Sequence, residues 1–113
     1  MDKQALNNTI TEIKTASGTE IRCTLNFFLL YGVKTKYPEA YKRYNKIMME
    51  GMDDLFDAID VLYTGYLCAL PEGGQAMGYT EFMQLFEDDV SGVMIEAGRL
   101  MGRKKKAGSV TPS

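Results

Sequence analysis

Gly51-Met52-Asp53-Asp54-Leu55-Phe56-Asp57-Ala58-Ile59-Asp60-Val61-Leu62-Tyr63-Thr64-Gly65-Tyr66-Leu67-Cys68-Ala69-Leu70 is the stretch that decides the fold class. Met52, Leu55, Phe56, Ile59, Leu62, Tyr63, Tyr66, Leu67 and Leu70 return at intervals of three and four, with Asp53, Asp54, Asp57, Asp60 and Thr64 opposite them. That period predicts an amphipathic helix of about five turns with one solvated face. Its early aspartates complement the positive end of the helix dipole. Pro71-Glu72-Gly73-Gly74 closes the helix and opens a loop to Tyr79.

On the N-terminal side, Ile10 to Lys14 and Glu20 to Leu25 are short β-branched runs separated by Thr15-Ala16-Ser17-Gly18-Thr19, a polar linker that suits a hairpin. In the second run Ile21, Cys23 and Leu25 alternate with Arg22 and Thr24, the period of a half-buried strand. The first run is poorer, because Ile10 and Ile13 cannot both face the core without a bulge. Asn26 is a cap for a helix through Phe27, Leu30, Tyr31 and Lys34 that stops before Pro38. Pro38 opens the next helix, with Tyr41, Tyr44 and Met48 on one face and an end near Gly51.

On the C-terminal side, Thr80 is the expected N-cap of a short helix presenting Phe82, Leu85 and Phe86. Asp88 or Asp89 caps the last helix, where Val90, Val93, Met94, Ala97, Leu100 and Met101 form an apolar stripe. A two-stranded hairpin is marginal alone, so helices must cover it. The prediction is therefore one mainly helical α+β domain over residues 10–103, an N-terminal β-hairpin packed against four or five α-helices. Residues 1–9 are expected to be loose, and residues 104–113 to form a disordered basic and polar tail.

Composition narrows the function. The chain has 113 residues, 45% of them apolar, enough for one core. It holds no His, which removes the usual general base at neutral pH, every Ser-His or Cys-His pair, and the commonest zinc ligand. No run approaches the roughly 20 apolar residues of a membrane span, and Met1-Asp2-Lys3-Gln4 does not read as a signal peptide. Cys23 and Cys68 each lie in an apolar run with no cation nearby in sequence, which favours buried reduced thiols in a cytoplasmic protein.

The net charge of -2 conceals three blocks. Residues 34–46 carry +4, residues 47–98 hold 11 acids and no base, and Arg99 with Arg103, Lys104, Lys105 and Lys106 gives +5. The terminal block could touch nucleic acid, but residues 1–98 sum to -7 and would repel phosphate.

Chemistry-bearing constellations are sparse. Asp53, Asp57 and Asp60 share a helix face, yet no second carboxylate motif completes a metal or acid–base site, and a solvated face accounts for them. Glu81 does not close a calcium loop, since Gln75 stands where the turn glycine belongs. Gly73-Gly74 has no following Gly-Lys-Ser or Gly-Lys-Thr. No catalytic residue, metal or cofactor is expected. The eight methionines and the tyrosines Tyr37, Tyr41, Tyr44, Tyr63 and Tyr66 permit two readings, core filling or an adaptable apolar surface for another chain.

The order of these features resembles a known family. The hairpin carrying Ile10, Ile13, Gly18, Glu20 and Ile21 precedes an apolar helix. The central helix ends Asp60-Val61-Leu62-Tyr63-Thr64-Gly65-Tyr66-Leu67-Cys68-Ala69-Leu70, and Tyr79-Thr80-Glu81-Phe82-Met83 follows with Leu85 and an acidic pair. The last helix runs into Leu100-Met101-Gly102-Arg103-Lys104-Lys105-Lys106. Across residues 10 to 106 this resembles the tail assembly chaperones of long-tailed phages and prophages of Gram-positive bacteria, while the basic, tyrosine-rich helix from Pro38 to Glu50 departs from the pattern.

The resemblance implies a non-enzymatic cytoplasmic factor that coats the tape measure protein, brings in major tail protein and leaves the finished tail. It also implies a longer product made by ribosomal slippage, with which Lys104–Lys106 is compatible through A-rich codons. Met94, Leu100, Met101, Arg103, Lys104, Lys105 and Lys106 are the expected partner-binding residues, and self-association is left open. The alternative is a small phage-encoded adaptor or regulator contacting nucleic acid through the basic tail.

Overall fold

The computed structural model describes residues 10–108. The expected loose segment 1–9 and the end of the expected tail, residues 109–113, lie outside the described residues. The elements are β1 (Thr11–Lys14), β2 (Glu20–Cys23), α1 (Phe27–Lys36), α2 (Pro38–Glu50), α3 (Leu55–Ala69), α4 (Tyr79–Gln84) and α5 (Val90–Gly108). This is the mainly helical α+β architecture expected, with the N-terminal hairpin packed on the helices.

β1 and β2 pair antiparallel, Thr11 with Cys23 and Ile13 with Ile21. The Thr15–Thr19 loop closes them: Thr15 N donates to Thr19 O at 2.9 Å, and Gly18 takes a φ of 94° that favours glycine. Ile13 and Ile21 both face the core. Ile10 precedes the strand, so β1 needs no bulge to satisfy the alternation.

α3 is the axis of the molecule. β2, α1, α2, α4 and α5 all pack on it, and ten of its fifteen residues are buried. It is shorter than the periodicity predicted because Asp54 is its N-cap, accepting from Asp57 N at 3.1 Å, while Asp53 N donates to Asp57 Oδ2 at 2.7 Å. Two aspartates assigned to a polar helix face therefore stand outside the helix, organising its start. The expected solvated face is also corrected further along. Asp60 is 8% exposed and Thr64 1%, while Phe56, expected to face inward, is in solvent. A helix enclosed on nearly every side has no face left for water.

Gly65 marks the tightest approach. Thr24 N donates to Gly65 O at 3.1 Å, and a Cβ built on Gly65 would meet Cys23 Cβ and Leu100 Cδ2 at 3.0 Å. The hairpin and α5 converge on this one backbone position. α1 begins at its predicted cap, with Asn26 Oδ1 accepting from Phe28 N at 2.9 Å and Leu29 N at 3.1 Å. α2 begins at Pro38 and ends at Gly51, whose φ is 94°.

α4 starts one residue early, at Tyr79 after Gly78, so Thr80 is inside the helix rather than capping it. Asp89 caps α5, accepting from Gly92 N at 3.1 Å. α5 turns Val93, Ala97 and Leu100 inward. Its backbone stays helical to Gly108, past the boundary at residue 103 expected from composition, in keeping with the high helix propensity of Lys and Ala. No helix among the described residues is long and apolar enough to cross a membrane.

Candidate functional site

Five consecutive apolar residues, Phe27-Phe28-Leu29-Leu30-Tyr31, open α1. A helix advances 100° per residue, so five in a row cover its whole circumference and cannot all reach one core. Leu30, with Val33 a turn later, is the inward choice. Phe27 is 75% exposed, Phe28 74% and Tyr31 67%, with Leu29 at the boundary. Two phenylalanines standing out to this degree present on the order of 300 Å² of apolar surface, the size at which a patch on a monomer usually marks an interaction site.

The neighbourhood is basic. Lys34 and Lys36 lie in the last turn of α1, and Lys42 and Lys46 are exposed on α2. Lys34 Nζ lies 5.8 Å from the Tyr41 ring centroid, and Lys36 Nζ 6.0 Å from that of Tyr37, so each cation rests over an aromatic face. An apolar opening turn followed by lysines suits an amphipathic partner segment that carries acids beside its apolar stripe. Met49 and Phe56, on either side of the linker from α2 to α3, are 77% and 55% exposed.

Of Asp53, Asp57 and Asp60, weighed as a chemical cluster, the first two meet at the start of α3, where Asp53 N donates to Asp57 Oδ2, and Asp60 is engaged elsewhere. Asp54 and Asp57 are engaged in the α3 cap. Asp60 accepts from Arg43 Nε at 3.1 Å, and the Arg43 guanidinium stacks 4.9 Å from the Tyr79 ring centroid. Burial, and then the hydrogen bond to Asp60, push the Tyr79 hydroxyl above the usual phenol range. This group joins α2, α3 and α4 and satisfies a buried carboxylate. Tyr63 OH donates to Met77 O at 2.8 Å and Tyr66 OH accepts from Met77 N at 2.9 Å, while both rings pack on Phe82 at 5.1 and 5.2 Å. These tyrosines pin the loop after α3.

Cys23 and Cys68 are buried thiols, as expected. Cys23 Sγ donates to Leu62 O at 3.5 Å, and burial, followed by the neighbouring Cys68, pushes its thiol up, the opposite of an activated nucleophile. A cleft of about 100 Å³ lies between the hairpin and α5, lined by Ile13, Leu62, Phe86 and Val93 with Glu12 and Glu96 at its rim. Ligand sites commonly span roughly 300–1,000 Å³, so this cleft is small for an organic substrate.

The residues expected to bind a partner differ in burial where their side chains are described. Leu100 is 3% exposed and belongs to the core against Gly65, which corrects its assignment. Met101 is half-buried, and Met94 is 37% exposed beside Ile95 at 58%. Arg103, Lys104, Lys105 and Lys106 occupy the last turns of α5. The patch at Phe27, Phe28 and Tyr31 was missed, although its signal was in the sequence: an uninterrupted apolar run where a single-faced helix needs gaps. No protein-family model, curated protein sequence or solved structure matches the chain.

Proposed function

We propose that the protein is a binding factor that shields apolar helical segments of another chain through the first turns of α1, by contact and without bond chemistry. The exposed set Phe27, Phe28 and Tyr31 carries this reading. In a 113-residue protein those rings would be expected in the core, and Asn26 instead fixes the turn that displays them. A rigid aromatic platform loses little side-chain entropy when a partner covers it.

The order of sequence features supplies the setting. The resemblance to tail assembly chaperones supports the tape measure protein as the shielded chain and major tail protein as the recruited one, with the work done in the host bacterial cytoplasm before the factor leaves the finished tail. Long apolar helices of a tape measure would aggregate if uncovered, and the basic rim of α1 and α2 would select segments bearing acids.

Co-expression with tape measure fragments tests this. The wild-type chain should keep the fragments soluble and co-purify with them, and Phe27→Ser/Phe28→Ser should lose both properties. Because the two rings are largely in solvent, that variant should keep its fold, with stability changed by less than about 0.5 kcal/mol. Undiminished co-purification with the double variant would overturn the proposal.

A further inference from the structure

The exposed apolar residues of α1 occupy more of the helix than another helix can cover. At about 100° per residue, Phe27, Tyr31, Phe28 and Leu29 stand about 40°, 60° and 100° apart around the axis, an arc of about 200°. A single docked helix would meet a stripe about 100° wide. Phe27 and Phe28 keep most of their surface in solvent, so they project from the molecule rather than line a groove. A projecting apolar end is enclosed most completely by a fluid apolar medium.

The charges on the same helix say which medium. Residues 21–38 contain no acid, and the first turn of α1 carries none. Lys34 and Lys36, both exposed, lie in the last turn. Lys34 stands six residues beyond Phe28, about 9 Å along the axis. Interfacial helices sink their apolar side about 5–10 Å into the boundary between headgroups and acyl chains, so with the rings at that depth the lysine heads reach the lipid phosphates. The backbone suits the same placement. Asn26 Oδ1 accepts from Phe28 N and Leu29 N, and Asn26 O accepts from Leu30 N at 2.8 Å, so these amides enter an apolar surrounding already bonded.

We propose that α1 is an interfacial anchor, inserting its first turn into an anionic phospholipid bilayer with Lys34 and Lys36 on the phosphates. Anchoring of this kind needs no membrane-spanning helix. It goes beyond the shielding of another chain, and a bilayer and a tape measure segment would compete for the same rings.

The chain contains no Trp, so Phe28→Trp places a single indole on the patch. Mixed phosphatidylglycerol and phosphatidylcholine vesicles should shift its emission to the blue, and lipids brominated on the acyl chain should quench it. Ile95→Trp, a control on α5 at a residue 58% exposed, should show neither effect. The wild type should co-sediment with the anionic vesicles. Binding should fall about tenfold or more on pure phosphatidylcholine and in Lys34→Glu/Lys36→Glu, and should be lost in Phe27→Ser/Phe28→Ser with its circular dichroism spectrum unchanged.

A wild type that stays in the supernatant, equal binding to neutral vesicles, or an equal shift in Ile95→Trp would overturn the inference. Should a chain that ignores vesicles still capture tape measure fragments, the rings serve a protein helix alone and the shielding function stands without the anchor. Vesicle binding by a chain that leaves those fragments uncaptured would uphold the anchor and remove the shielding function.

Discussion

Replacing Gly65 with alanine sets two effects of opposite sign against each other, and the structure supplies a matched control at Gly32. Both glycines lie inside helices, where alanine is favoured by about 1 kcal/mol. At Gly32 the added Cβ meets nothing within 4 Å, so Gly32→Ala should stabilise the protein by about that amount. At Gly65 the same atom meets Cys23 Cβ and Leu100 Cδ2 at 3.0 Å and Thr24 N at 3.5 Å. The Leu100 methyl can swing aside. Cys23 Cβ is held by the β2 backbone, so strand and helix must part, stretching the 3.1 Å bond from Thr24 N to Gly65 O. Overpacking of this kind costs about 1–3 kcal/mol. Taking about 2 kcal/mol for the clash leaves Gly65→Ala destabilised by about 1 kcal/mol, a gap of about 2 kcal/mol between the two variants. Urea unfolding followed by far-UV circular dichroism measures both, and thermal midpoints should move about 4 °C in opposite directions. If Gly65→Ala proves as stable as Gly32→Ala, the hairpin and α5 do not converge on that backbone position as described.

Asn26→Ala removes the acceptor of Phe28 N and Leu29 N and should cost about 1 kcal/mol, with faster amide exchange confined to the first turn of α1. Phe82, fully buried and in ring contact with Tyr63, Tyr66 and Phe86, should cost about 3–5 kcal/mol as Phe82→Ala, read from the urea midpoint. The Tyr44 hydroxyl is buried with no hydrogen-bond partner among the described residues, so Tyr44→Phe should be neutral or stabilising by up to about 1 kcal/mol. Burial, then Cys68 and Tyr41, raise Tyr44 to about 12 from 10.0, so the folded state holds a proton that the unfolded state releases first. That contribution is intact below the unfolded value and lost as pH rises through the folded one; unfolding scans should show stability falling above about pH 10, less steeply in Tyr44→Phe.

Local signals carried most of the fold. Asn26, Pro38, Gly51 and Asp89 each stand where cap and terminator chemistry put them. The Thr15–Thr19 linker forms the expected turn for the same reason: its conformation is decided by residues a few positions apart. What the one-dimensional pattern lacked was the number of neighbours around each helix. Asp60 and Thr64 read as solvent-facing because they sit opposite the apolar stripe of α3, yet both are buried, and Asp60 is accommodated by Arg43, seventeen residues upstream, with Tyr79 beside it. Met94 and Leu100, grouped in one stripe, diverge because α5 buries a narrower strip than its apolar residues could cover. The α1 patch is legible in Phe27 to Tyr31, five consecutive apolar residues that the core-facing side of one helix cannot hold.

The convergence on Gly65 also governs when the protein can fold. The hairpin is complete by residue 25, but what anchors it, Thr24 to Gly65 and Cys23 to Leu62, lies about forty residues further along the chain. Closing such a span costs loop entropy before any contact rewards it, and two strands alone are too weak to wait as a formed unit. A growing chain therefore holds its first two elements unsettled until α3 has emerged, and then the hairpin, α3 and α1 condense together. For a molecule that displays aromatic rings on its finished surface, that delay keeps Phe27 and Phe28 off any ordered platform until the core that supports the platform exists.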